Sequence, residues 1–467
     1  MKKLSLIVFF AFLALGCSSK PKVKYVFYFI GDGMGINQVM ATEQYNKATG
    51  NGPDVINFTQ FPVRNFITTV SGNSVVTDSA AGGTALASGV KTYNSAVGVD
   101  LDGNPVSCLT EWASEAGYGT GIITTVGINH ATPACFISHT SVRGNYEDIS
   151  TQFMSAPVDF AAGAGFIMNR RTERTPDYYE KMAEDSGITI LRGPEFDGVE
   201  DIDGRVLCLS GKQQENLSCA IDRKEGDTQL SDFVKAGIAY LEKHFGKKGF
   251  FVMIEGGMID WACHGTDAAT AFQELTDMAY SVDLALEFLN RHPKETLIVI
   301  TADHETGGLM IGSGKYETHP ELLAFQKASA PVITEMFREE FFPEEEPYET
   351  PSWEDVKTFF ADKLGLWDKV DVSSKDEAAL KEVYNKTFGK GGNRHLSSEN
   401  LYSVNYKIVD EAVKCLDRAA GYRFSYGSHS GSPVGLYVTG AGHEAFREVR
   451  DNAEIAPLIA KLAGYAR

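Results

Sequence analysis

Cysteine is scarce: seven residues in 467, and no two stand at the CxxC spacing of a zinc ribbon. Basic residues run short as well, 43 against 62 acidic ones, for a formal net charge of −19. A surface of that sign argues against nucleic acid as a partner, because phosphate backbones are held by lysine and arginine. Beyond the first twenty residues no run is apolar enough, for long enough, to span a bilayer. No internal repeat is evident. The Gly-x-Ser-x-Gly elbow is missing too, which disfavours an acyl-transfer serine hydrolase. What remains, 43% hydrophobic and 22% charged, is the composition of a well-packed globular protein.

The chain opens on a leader. Lys2 and Lys3 precede an apolar run from Leu4 to Leu15, followed by Gly16-Cys17-Ser18-Ser19. A basic start, a short apolar core and a small residue before the cut describe a secretory signal, too short for a spanning helix. Ala14-Leu15-Gly16-Cys17 resembles a bacterial lipobox, departing slightly from the commoner Leu-Ala/Ser-Gly-Cys. Residues 1–17 are therefore expected to be a lipoprotein-type signal, with a lipid on Cys17 anchoring a periplasmic or cell-envelope protein; cleavage without lipid is the alternative. Residues 18–467 are expected to form one domain. Among the other cysteines, Cys208 and Cys219 could close a short loop in an exported compartment, and free buried thiols are an equally good reading.

Strand signals recur, each ending in polar residues. Lys24 to Ile30 is dense in β-branched and aromatic residues and runs into Gly31-Asp32-Gly33. Gly121 to Thr125 precedes Asn129-His130-Ala131-Thr132, Phe250 to Ile254 precedes Glu255, Leu297 to Thr301 precedes Asp303-His304, and Leu436 to Thr439 is a late core strand. Between them, Leu230, Phe233, Val234, Ile238 and Leu241 share one helical face, as do Phe272, Leu275, Ala279, Val282, Leu286 and Leu289. Alternating strands and amphipathic helices predict a largely parallel sheet covered on both faces. Ligands of such folds bind beyond the carboxyl ends of the strands, where these polar clusters fall. Residues from about 310 to 421 lose the alternation and read as an insertion at the site mouth or a subunit contact.

The polar clusters are rich in metal-ligand types. Glu255, Asp260 and His264 lie within ten residues; Asp32 and the pair Asp303-His304 follow other strands; His429 stands in Gly427-Ser428-His429-Ser430-Gly431. Imidazole with carboxylate suits zinc, whereas carboxylate, hydroxyl and water suit magnesium. Each piece alone is weak, and their shared position after core strands gives them weight. Val76 to Thr84 adds a serine, Ser79, among small residues at an expected helix start, where backbone N–H groups can meet a phosphate.

Val76 to Thr84 matches the alkaline phosphatase signature throughout, and the chain resembles that family. Phe29 to Gly35 resembles its first metal-binding loop; His130 to Ala134 with Arg143 resembles its magnesium- and phosphate-binding segment; Glu255, Asp260, His264 and Thr301 to Glu305 keep its spacings. The motifs run from residue 29 to about 430. The resemblance implies an α/β three-layer α/β/α sandwich with a central, mostly parallel sheet. It implies that Asp260, His264 and His429 hold one zinc, that Asp32, Asp303 and His304 hold a second, and that Asp32, Thr132 and Glu255 hold a magnesium. Ser79 is then the nucleophile, and Arg143 grips two phosphate oxygens. Phosphate monoesters would be hydrolysed in two in-line steps through a phosphoserine. A homodimer is expected from the resemblance alone. His130 stands where some members have aspartate and Trp261 where some have lysine, so His130 is expected either behind the ligands or as one of them. Four carboxylates bound to metals would reverse the local sign, so the acidic bulk charge does not exclude an anionic substrate.

The nearest rival is a phosphodiesterase or sulfatase of the same superfamily; the complete third-metal set and the serine favour monoesters. A phosphate-binding lipoprotein without catalysis would require the loss of Ser79 or a zinc ligand, and none is missing.

Overall fold

The structure is a computed structural model that describes residues 23–169, 172, 174–193, 196–211, 214–312, 316–342, 349–399 and 402–465. The expected leader and Cys17 lie outside these residues.

Nine strands build the main sheet: β1 (Tyr25–Gly31), β2 (Val63–Ile67), β3 (Gly119–Thr124), β4 (Phe160–Gly163), β5 (Thr189–Arg192), β6 (Val206–Leu209), β7 (Phe250–Gly256), β8 (Thr296–Thr301) and β9 (Val434–Gly440). Their order is β2-β9-β8-β1-β7-β3-β4-β6-β5. β1 lies beside the central strand β7, paired in parallel with β7 and β8. Only β9 runs against its neighbours β8 and β2. The five runs singled out in the sequence are all here. The four others escape notice for a physical reason: β4, β5 and β6 have four residues each, and β2 is only half buried, so none forms a long apolar run.

All seven residues of β1 are buried, as expected of a strand covered on both faces. Successive side chains point to opposite faces. Phe27 packs on Phe288 of the Ala268–Arg291 helix, while Tyr28 packs on Phe136 and Phe251 on the other side. Tyr465, just beyond the Ile455–Ala463 helix, reaches Phe251 on that second side. Helices therefore cover both faces, and the molecule is the α/β sandwich expected.

Residues 310–421 add helices Ala330–Phe341, Trp353–Leu364, Ser374–Phe388 and Lys407–Ala420 around a cluster that includes Phe337, Phe359, Phe360 and Phe388. A short ribbon, Ser397–Glu399 with Val404–Tyr406, projects Tyr402 from its turn. Cys208 and Cys219 do not bridge; all six described cysteines are free.

Candidate active site

The carboxyl ends of β1, β3, β7 and β8 converge. Asp32 follows β1 directly, and Gly33 after it has φ +70°. A Cβ at Gly33 would come within 2.8 Å of Asp260 Oδ1, so only glycine lets this loop approach Asp260. β3 leads to His130 and Thr132, the latter in a single helical turn, Ala131–Ala134. Glu255 is still within β7, one residue further into the strand than the sequence suggests. The Met258–His264 helix presents Asp260 and His264 four residues apart on one face. Asp303 and His304 follow β8, and His429 pairs with Thr306 in a two-residue antiparallel ribbon.

Asp32, Glu255, Asp260 and Asp303 are fully buried, and each keeps one oxygen with no hydrogen-bond donor: Asp32 Oδ1, Glu255 Oε1, Asp260 Oδ2 and Asp303 Oδ2. Four buried carboxylates with orphaned oxygens are costly unless cations meet them.

The histidines show the same need. His264 donates Nδ1–H to the Gly427 carbonyl at 2.8 Å, and His429 donates Nδ1–H to that of Thr77 at 2.9 Å. Those bonds leave both Nε2 atoms bare, facing each other at 3.1 Å and lying 3.3 and 3.7 Å from Asp260 oxygens. His304 Nδ1 donates to Thr306 Oγ1 at 3.2 Å, and Thr306 passes its own hydrogen to Asp260 Oδ1 at 2.5 Å. His304 Nε2 is thereby bare as well, 3.4 Å from Asp32 and 3.2 Å from Asp303. Among the described residues, three groups could each hold a cation: Asp260, His304 and His429; Asp32, Asp303 and His304; Asp32, His130 and Glu255.

The electrostatics follow from this crowding. Burial, then Asp260, push Asp303 up to about 8, and burial pushes Glu255 up to about 7. Burial likewise raises Asp32, reinforced by Asp303. Asp260 goes the other way: burial works against ionisation, but His264, His429 and His304 together hold its carboxyl well below the usual range.

Ser79 begins the Ser79–Ser88 helix, its Oγ 3.2 Å from His304 Nε2. Asp78 caps that helix, Oδ1 accepting from Ala81 N–H and Ser95 N–H, each at 3.0 Å. Its other oxygen meets Arg143 Nη1 at 3.3 Å, and Arg143 Nη2 lies 3.2 Å from His130 Nε2. Thr132 Oγ1 is 3.4 Å from Asp32 Oδ2, and Thr124 donates to Glu255 Oε2 at 2.5 Å. Outside lies a cleft of about 720 Å³ lined by Asp78, Arg143, Tyr146, Trp261, Tyr402 and His429 among others.

Every site residue singled out in the sequence thus meets the others here. His139 stands apart, bonded to the Gly98 carbonyl and Glu111. Cys263 is buried and joins none of the three groups. Sequence reasoning passed over Asp78, Thr124, Thr306 and Tyr402. Asp78 was findable as the polar residue before the helix; Tyr402 has no motif around it.

Comparison with known proteins gives the same picture. The alkaline phosphatase family matches residues 23–168 and 206–465. Alkaline phosphatase 4 of Bacillus subtilis is 30% identical over 453 residues, covering 95% of this chain and 89% of that protein. Alkaline phosphatase 3 of the same organism is 31% identical over 459 residues, covering 96% and 90%. The cold-active enzyme of a psychrophilic Shewanella superposes with a TM-score of 0.74 at 27% identity, over 94% of this chain and 99% of that one. The Thermus thermophilus alkaline phosphatase, 23% identical, shares the fold with a TM-score of 0.75 over 96% and 93%. A serine at a helix start, set among buried carboxylates and bare imidazole nitrogens, is thus matched by similarity along nearly the whole described chain, and the chain belongs to the alkaline phosphatase family.

Proposed function

We propose that this protein hydrolyses phosphate monoesters to an alcohol and inorganic phosphate, with Ser79 as nucleophile. The observation that carries the reading is Ser79 Oγ at a helix N-terminus, 3.2 Å from His304 Nε2, with Arg143 lining the cleft and bonded to the adjacent Asp78. Asp260, His264 and His429 are suited to one zinc, Asp32, Asp303 and His304 to a second, and Asp32, Thr132 and Glu255 to a magnesium; the orphaned oxygens and bare nitrogens support that fit. His130 lies close enough to Asp32 and Glu255 to be a ligand in place of Thr132. Cations held there would supply Lewis acidity, stabilising charge on the serine oxygen and on the leaving oxygen.

The chain's own groups do the rest. Arg143, braced by Asp78 and His130, offers a guanidinium fork to two phosphoryl oxygens. The Ser79–Ser88 helix begins at the nucleophile, so the positive end of its dipole favours an incoming phosphate. Ser79 Oγ attacks phosphorus as the alcohol departs on the opposite side, and water then attacks the phosphoserine in line. Two inversions give net retention at phosphorus.

The first experiment compares rates on p-nitrophenyl phosphate and bis-p-nitrophenyl phosphate at alkaline pH, using zinc- and magnesium-loaded protein. A strong monoester preference is the expected result. A diester preference would favour the phosphodiesterase reading, and activity on neither would leave a phosphate-binding protein. Ser79→Ala should lower turnover by at least about a thousandfold. We also propose a homodimer anchored in the cell envelope through lipidated Cys17; light scattering and mass spectrometry of the mature N-terminus test the two parts.

A further inference from the structure

Glu305 follows His304 directly, is buried, and belongs to none of the three groups of candidate ligands. Its two oxygens join separate segments of the chain. Oε1 accepts from Gln38 Nε2 at 2.8 Å and from the Gly308 N–H at 2.9 Å. Oε2 accepts from the Ser430 hydroxyl, whose oxygen in turn receives the Ser432 N–H at 3.2 Å. Gln38, itself buried in the Ile36–Thr49 helix, also donates Nε2 to the Thr306 carbonyl at 2.7 Å. A Cβ on Gly35 would collide with Glu305 Cγ and Gln38 Oε1, so glycine there lets the helix start close on this pair.

Ser430 is the neighbour of His429. The ribbon that carries both pairs only two residues with the segment after β8, His429 with Thr306 and Ser430 with Glu305, and two pairs hold a ribbon weakly. His429 is nevertheless closely placed. Its ring lies on that of His304, with centroids 3.5 Å apart and 22° between planes, while its Nε2 is 3.7 Å from Asp260 Oδ1. A buried carboxylate bonded by several donors makes a firm anchor for such a ribbon, because moving away would leave its charge unpartnered.

We propose, on the reading of Asp260, His264 and His429 as the ligands of one zinc, that Glu305 is a positioning residue which fixes His429 for that ion through Ser430. Ser430→Ala cuts the tie and leaves Glu305 its other donors; Glu305→Ala removes the anchor. The zinc dissociation constants are measured by competition with a chromophoric chelator in the magnesium-saturated parent, Ser430→Ala, Glu305→Ala, the double variant and His429→Ala.

Ser430→Ala is expected to weaken one of the two zinc ions about tenfold and the other by less than about twofold. In the Glu305→Ala background the same substitution is expected to change the weaker constant by less than about twofold, because the partner is gone. Both ions weakened alike, neither weakened, or an equal loss in both backgrounds overturns the proposal and leaves Glu305 and Ser430 packing residues. Should Glu305→Ala fail to fold, the selective loss in Ser430→Ala decides alone. His429→Ala holding both ions as tightly as the parent would instead overturn the ligand set itself.

Discussion

Burial acts differently on the acidic side chains of this protein, depending on what shares the space. Around Asp260 three imidazoles outweigh it. At Glu274, on the Ala268–Arg291 helix and far from the chemistry, it wins: burial pushes the carboxyl up to about 7, Asp277 adds to the rise, and Arg223 offsets it only in part. The folded protein then retains a proton that the unfolded chain gives up near the ordinary value of 4.5. Stability from this group is complete below 4.5 and is lost as pH rises toward 7. Glu274→Gln keeps an acceptor for the Ala220 N–H, now held at 2.6 Å, and removes the titration. The variant should gain on the parent as pH rises, by roughly 3 kcal/mol at full ionisation. Denaturation curves at pH 5 and pH 8 check this, and a constant difference between the two proteins at both would refute it. Nothing of this was legible in the sequence, where Glu274 reads as one more charge on a helix. Its burial depends on Arg223 and residues near 220 folding over it.

Two elements meet more closely at the Ser79–Ser88 helix than ordinary side chains permit. A Cβ on Gly82 would sit 2.9 Å from the Asp303 carbonyl oxygen and 3.1 Å from the Asp303 Cβ. The helix that carries Ser79 and the strand end that carries Asp303 and His304 are thus spaced by the absence of one methyl group. Gly82→Ala should fold, since alanine favours helix, but push Ser79 away from His304. The expected loss in kcat/KM is about tenfold to a hundredfold, with the melting temperature nearly unchanged, because a shift well under 1 Å suffices at a reacting centre. An unaltered kcat/KM would show that the interface yields freely. This helix start was readable from Ser79 and the small residues around it, as were the long buried strands β1, β7 and β8 from their apolar runs. The short β4 and β6 were not, since four residues within the sheet carry too little pattern. Tyr402 was not either, because only the folded ribbon brings it to Trp261.

At the scale of the whole molecule, four buried carboxylates facing one another oppose the fold unless cations join them. Exhaustive chelation should lower the melting temperature, and zinc should restore it; saturation at about a hundred times the dissociation constant corresponds to about 3 kcal/mol. A chelated protein that melts with the loaded one would argue against these residues as ligands. The chain order has a further effect. The residues of the site begin at Asp32 and end at His429, whose ribbon partner is Thr306 and whose next strand, β9, seals the sheet between β8 and β2. A growing chain therefore carries an open, incomplete centre until His429 has been added. His429 is the last of them to be made, so fragments ending before Gly427 should be inert.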